Sequence, residues 1–194
     1  MMNKNDPKQL KDVLIRFNTR SSYVQADVTN ENDVEDLITT TMDQFGHIDI
    51  LVNNAGTAVR KTLLETTVND YDMVMNTNLK GVFLCMKYFL MYRKSSKRSK
   101  MINISSGPGL YGIPELSVYS ASKSGIISLT QSVSKEVENV DVYALCPGSV
   151  DTGLYRSLYS EMPRPELKPE DIALKVIELC LPESKVSSGS VIEL

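Results

Sequence analysis

Short apolar runs with strand-like composition alternate with segments of helical period along this 194-residue chain, and that alternation limits the fold more than any other feature. The strand-like runs are residues 22–28, 48–52, 101–104, 141–145 and 186–194. The segment 7–17 carries Leu10, Val13, Leu14 and Phe17 at helical spacing. Asn30 is placed to cap a helix with Asp33 in its first turn, Val34, Leu37, Ile38 and Met42 on one face, and Gly46 as its stop. Further helices are expected from about Val68, over 78–92, over 117–137 and from Pro169 to about Leu181. Strands that alternate with helices imply an α/β fold, with a parallel sheet covered on both faces. In such sheets ligands gather where the strands end at their carboxyl side. The turns after Val28, Val52, Ile104 and Leu145 are therefore the places to look for chemistry.

Composition narrows the function classes. A net charge of −3 gives no electrostatic case for nucleic acid. The basic run 93–100 lacks aromatic neighbours and is expected to be a solvated loop. The longest apolar stretch, 82–92, is broken by Lys87 and too short to span a bilayer. Three scattered cysteines form no CxxC, and the first twenty residues show no secretory pattern. A cytoplasmic location, one domain over 1–194 and no membrane partner are the expectations. Asn103-Ile104-Ser105 matches a glycosylation sequon inside a strand-like run and is read as chance.

Tyr119 and Lys123 stand four residues apart in a helical segment and so share a face. An ammonium beside a phenol favours phenolate, which would lower the tyrosine pKa and make it a usable acid/base. With nine tyrosines in the chain, such a pair alone is close to a chance occurrence. Ser106 adds weight, because it follows a strand end just ahead of the same helix and its hydroxyl can hold a carbonyl oxygen. Asn53-Asn54-Ala55-Gly56 supplies small residues and amides where a ligand must approach backbone closely. His47, the only histidine, sits at the amino end of a strand, opposite that site, and no GxSxG elbow accompanies it. It is read as a surface residue.

Taken in order, Ala26-Asp27-Val28-Thr29, the run from Phe45 to Gly56, Asn78-Leu79-Lys80-Gly81, the run from Ile102 to Ser106, Tyr119 to Lys123, and Pro147-Gly148-Ser149-Val150-Asp151-Thr152 resemble the short-chain dehydrogenase/reductase family. The resemblance is to its compact type, which includes 3-oxoacyl-carrier-protein reductases and sugar alcohol dehydrogenases. It implies a Rossmann-type three-layer sandwich, a doubly wound parallel sheet. It also implies an NAD(P)-dependent oxidoreductase that interconverts an alcohol and a ketone, with a small-molecule substrate and a homo-oligomeric state. By that resemblance Tyr119 is the acid/base, Ser106 orients the carbonyl, Lys123 tunes the tyrosine and holds the nicotinamide ribose, and Asn78 distorts its helix to hold a relay water. Asp27 and Val28 would contact adenine. Asn53, Ala55 and Gly56 would line the cofactor, with Pro147, Gly148, Val150 and Thr152 at its nicotinamide end. The apolar Val82, Phe83, Leu84, Met86 and Phe89 would suit a helix-to-helix interface between copies, unless they are core.

One element of the family pattern does not occur. No glycine precedes Gly46, so the TGxxxGxG turn that binds the pyrophosphate is missing together with the first two strands. The chain is expected to be an incomplete Rossmann-type domain, short by roughly forty residues, a βαβ-sized piece. Weak dinucleotide binding is the expected result, since backbone donors and a helix N-terminus are what hold such phosphates. The choice between NAD and NADP lies in the missing part. A five-stranded sheet is expected, with 23–28 paired to 48–52 or set across a gap. A non-catalytic scaffold that keeps the fold is the alternative to an enzyme.

Overall fold

The computed structural model describes residues 20–94 and 97–194. The helix expected over 7–17 lies outside the described residues. Helix α1 spans Glu31–Phe45, and Asn30 caps it by accepting the Asn32 amide at 3.0 Å. Gly46 ends it in the left-handed region at φ 80°, where its amide reaches the Met42 carbonyl. Strand β1 is Ile50–Asn53. Helix α2, Val68–Met75, opens on a reciprocal cap between Thr67 and Asp70. It runs without a break through a π-helical turn, Asn76–Lys80, into α3, Gly81–Tyr92. Strand β2 (Ser99–Ile104) leads to a tight Gly107–Gly109 turn and then to the long helix α4, Ser117–Glu136. Strand β3 (Val140–Cys146), the short helix α5 (Gly153–Leu158), α6 (Pro169–Cys180) and β4 (Val191–Glu193) complete the order.

The four described strands form one parallel sheet in the order β1-β2-β3-β4. Alternation along β2 and β3 sorts the core into two layers. Met101, Val140 and Val142 face α1, α3 and α4, where Val34, Ile38, Phe89, Ile126 and Val133 are buried. Ile102, Tyr143 and Leu145 face α6, against Leu179, Ile172 and Val176. Every residue of β3 is buried, as a strand covered on both sides requires. The first two crossovers carry α3 and α4 on one face, and the third carries α6 on the other. All three steps move the same way across the sheet, so the third crossover has the opposite hand to the first two.

Two expectations are corrected. The segment 22–28 is not a strand, and the described sheet has four strands rather than five. Local hydrogen bonds explain the difference. The Asp27 carboxylate accepts the Thr29 amide and hydroxyl at 2.9 and 2.8 Å, and its carbonyl accepts the Asn30 amide at 3.0 Å. That turn delivers the chain to the α1 cap and takes the Asp27 carbonyl out of any ladder, and no described strand pairs with 22–26. The basic Lys94, Lys97 and Arg98 are exposed ahead of β2, as a solvated loop before a strand should be, and the run ends in anchored contacts. Arg98 makes a two-pronged contact with Asp141 at 2.9 and 2.7 Å, and the Lys100 ammonium donates to the Leu179 and Leu181 carbonyls. Of the five residues suggested as an interface, Val82, Leu84, Met86 and Phe89 are core and only Phe83 faces outward. No helix of the described residues is long and apolar enough to cross a membrane. Asn103 is fully buried in β2, consistent with a chance sequon.

The turn after β2 is packed to the limit. A Cβ at Gly109 would sit 2.9 Å from the Lys123 backbone carbon and from Ser105 Oγ, whereas one at Gly112 would meet nothing within 4 Å. Gly109→Ala is expected to lower unfolding stability by roughly 1–3 kcal/mol, with Gly112→Ala near neutral. Urea denaturation of the two variants, which must differ, checks this.

Candidate active site

Ser106 lies two residues past the end of β2 in extended backbone and is buried. Tyr119, Ser122 and Lys123 project from the first two turns of α4. Three contacts set α4 against the β2 exit. Ser105 Oγ donates to the Lys123 carbonyl at 2.9 Å, Ser124 Oγ donates to the Gly109 carbonyl at 2.7 Å, and Lys123 Nζ donates to the Ile104 carbonyl at 2.9 Å. These fix the height of Tyr119 relative to Ser106, the hydroxyl that draws its phenol down.

Asn78 is fully buried in the π-helical turn. Its Oδ1 accepts the Thr57 amide at 2.8 Å, and its Nδ2 donates to the Thr57 carbonyl and to Ser122 Oγ. Ser122 Oγ in turn donates to the Tyr119 carbonyl at 2.7 Å. The irregular turn thus lets one amide join the β1 exit loop to the helix bearing Tyr119. A Cβ placed on Gly56 would be 3.5 Å from Asn78 Oδ1 and 3.7 Å from Lys123 Nζ, so Gly56, Asn78 and Lys123 meet at one point.

The electrostatics differ from the sequence expectation. Burial pushes the Tyr119 phenol up, the Ser106 hydrogen bond works against that, and the Tyr159 phenol adds to the rise. The Lys123 ammonium lies 5.7 Å from the Tyr119 ring centre, yet it spends its hydrogen bond on Ile104. Burial outweighs whatever the ammonium does for phenolate, so Tyr119 is raised rather than lowered. Lys123, 5% exposed, is itself drawn down to about 8 by burial.

The remaining residues fall into two groups. Asn53 is buried and donates to Asn103 Oδ1 at 2.7 Å, while Ala55 and Gly56 are exposed at the β1 exit. Pro147 accepts the Gly107 amide at 2.8 Å, and the Gly148 amide donates to the Leu194 carbonyl. Val150 bridges to Leu167, and Thr152 Oγ1 caps α5 by accepting the Tyr155 amide. All of these lie where strands end at the carboxyl side, as does Ser106. Asp27 and Val28 are set apart in the turn before α1. The Asp27 carboxyl is held low by Thr29, and Val28 packs so closely on Gly81 that a Cβ there would be 2.9 Å from Val28 Cγ2. His47 pairs with Asp49 at 2.9 Å before β1, at the opposite end of the sheet. Ser105 and Ser122 were missed by sequence reasoning. The serine doublet after β2 and the serine-rich start of α4 were the available signals.

A family model described as short chain dehydrogenase matches residues 2–163. A 3-oxoacyl-[acyl-carrier-protein] reductase of Synechocystis is 41% identical over 140 residues, which make up 71% of this chain and 57% of that protein. The chain thus spans little more than half the length of that relative. A 3-oxoacyl-[acyl-carrier-protein] reductase of Thermotoga maritima is 32% identical over 176 residues, 85% of this chain and 72% of that protein. Among solved structures, a dehydrogenase/reductase from Sinorhizobium meliloti superposes with a TM-score of 0.86 at 27% identity, covering 96% of this chain and 78% of the other. ElxO with NADP bound superposes at 0.83 with 29% identity, covering 97% and 83%. With its parallel sheet and a family match over residues 2–163, this chain belongs to the short-chain dehydrogenase family.

Proposed function

We propose that the chain serves an NAD(P)-dependent oxidoreductase that interconverts an alcohol and a ketone, with Ser106, Tyr119, Lys123 and Asn78 forming its proton-handling half. The observation that carries the reading is the buried Lys123. A charged ammonium that burial draws down to about 8 costs stability, and a scaffold has no use for one beside a phenol. Perturbed groups of this kind cluster where chemistry is done.

The residues fit a nicotinamide cofactor at one end. Lys123 has three donors and one protein acceptor, Ile104, which leaves two for ribose hydroxyls beside Gly56. Asn53, Ala55 and Gly56 would line the group from the β1 exit, with Pro147, Gly148, Val150 and Thr152 from the β3 exit. Asp27 and Val28 would border its adenine. When bound, the cofactor supplies or accepts a hydride. The glycine-rich phosphate turn does not occur within these 194 residues, so binding is expected to need high cofactor concentration.

For the protein's part, Ser106 would hold the carbonyl oxygen while Tyr119 donates its proton to it. A phenol raised by burial stays protonated at neutral pH, which favours the reductive direction there. Oxidation needs the phenolate and should gain as pH rises. Asn78 and Ser122 hold the backbone of α4 at this point, so the donor does not drift from the acceptor.

Assay of the 194-residue chain with NADH and NADPH at millimolar levels, over a panel of small ketones and 3-oxoacyl thioesters, is the direct test. Turnover lowered about 10²–10⁴-fold by Tyr119→Phe is expected; turnover equal in the variant sinks the reading. A second outcome concerns stability. Lys123 is depressed in the folded state, from 10.5 to about 8. The fold therefore carries the cost of its charge below about pH 8 and sheds it as pH rises toward 10.5. Lys123→Met should raise stability at pH 7 on the order of 1–3 kcal/mol, with the gain over wild type shrinking across that window. Thermal melts from pH 7 to 10 that show a constant difference would contradict it.

A further inference from the structure

One guanidinium engages the loops that leave three different strands. Arg60 lies between β1 and α2. Its Nε and Nη2 both reach Glu115 Oε2 at 2.6 Å, in the loop between β2 and α4. Its Nη1 reaches the Leu158 carbonyl at 3.5 Å, and its guanidinium carbon sits 4.8 Å from the Tyr159 ring centre, both at the end of α5 after β3. Tyr159 in turn lies against Tyr155, the two rings tilted by 32° with centres 5.0 Å apart. The neighbouring Lys61 amide donates to the Glu115 carbonyl at 2.8 Å, so Glu115 is gripped through side chain and backbone together.

Glu115 is also strained. Its φ of 65° lies in the left-handed region, which a glutamate rarely adopts. Such a residue persists where its surroundings over-determine it, and an observed outlier is a fair start for a functional inference. Two residues later, Ser117 begins the helix that carries Tyr119.

We propose that Arg60 is a positioning residue that clamps α5 and Tyr159 over the Tyr119 site, joining the three exit loops into one removable cover. Arg60 binds the cover at Leu158 and Tyr159, and it binds the frame at Glu115. Glu115 lies two residues before the helix that bears Tyr119, and α5 follows the β3 exit at the same edge of the sheet, where the Tyr159 phenol also adds to the rise of Tyr119. Arginine suits the place because a planar fork can hold a carboxylate while its face stacks on a ring; a lysine can do only the first. Arg60 and Glu115 are each about two-fifths exposed, 42% and 40%. A pair so exposed is weak, as a cover that must open for substrate requires. The cover's role in turnover rests on the oxidoreductase reading above, but the clamp itself does not.

Amide hydrogen exchange over 153–160 and the ionisation midpoint of Tyr119 test it in the full chain. The midpoint is read as the ultraviolet titration difference between each protein and its Tyr119→Phe partner. Ser106, Lys123 and Tyr159 face that phenol and stay unchanged in the Arg60 variants. Arg60→Ala should speed exchange over 153–160 about tenfold while β2 and β3 stay protected. It should also let water reach Tyr119 and shift its midpoint down toward the ordinary value. Arg60→Lys should restore only part of both. Tyr159→Leu, which keeps the ion pair, should loosen α5 less than Arg60→Ala and serves if the latter unfolds. Unchanged exchange in Arg60→Ala overturns the clamp, and faster exchange with an unmoved Tyr119 midpoint overturns its cover role. A wild-type chain inert with both cofactors counts against the oxidoreductase reading and leaves these two measurements to decide the clamp.

Discussion

The seam between α4 and the exit of β2 is the contact on which the site depends. Here Ser105, Lys123 and Ser124 exchange three hydrogen bonds with backbone carbonyls, and Gly109 brings two stretches of main chain together with no room for a Cβ. Ser105 and Lys123 are buried, and an unpaired partner there would lose far more than a surface bond is worth. The seam therefore has one satisfied arrangement. It is the arrangement that brings Tyr119 and Ser106 to one edge of the sheet, and two of its three side chains, Ser105 and Ser124, have no part in the proposed proton transfer.

A second polar chain ties that seam to the rest of the sheet. Asn53 donates to Asn103, and Asn103 donates to Thr130 on α4 at 2.9 Å. This places a hydrogen-bonded line across β1, β2 and α4, in a layer otherwise filled by Met86, Met101 and Ile126. A one-residue slip of either strand would turn these amides to the other face and leave them unpaired. The π-helical turn at Asn78 acts in a similar sense. It breaks the regular helix ladder locally so that a buried amide can grip Thr57 and Ser122 at once.

Much of this was legible in the sequence, and what was not has physical causes. The cap at Asn30, the stop at Gly46, the strands around 101–104 and 141–145 and the helix bearing Tyr119 follow from local chemistry that a neighbouring segment does not alter. The segment 22–28 has strand composition, yet Asp27 spends its hydrogen bonds on Thr29 and Asn30. Composition does not reveal which partner wins. The direction of the Tyr119 shift was misread because spacing shows that Lys123 is near but not that both groups are buried. The short helix α5 was missed behind a proline-containing segment with weak period. The opposite hand of the third crossover depends on which face α6 takes, a choice of packing rather than of pattern. Glu115 carried no signal at all, since nothing in a glutamate announces a left-handed backbone.

The two kinds of contact at the carboxyl edge of the sheet divide the work. The groups proposed to handle the proton stand on a long helix and next to a central strand, held by buried bonds that tolerate no displacement. The Arg60 contacts that hold α5 are exposed and individually weak, and they join loops rather than strands. Reacting atoms need a fixed frame, because an error of an ångström at the donor is costly. A cover over them needs the reverse, a bond strong enough to exclude water and weak enough to release. The chain meets both needs at one edge by burying the first set and leaving the second in solvent.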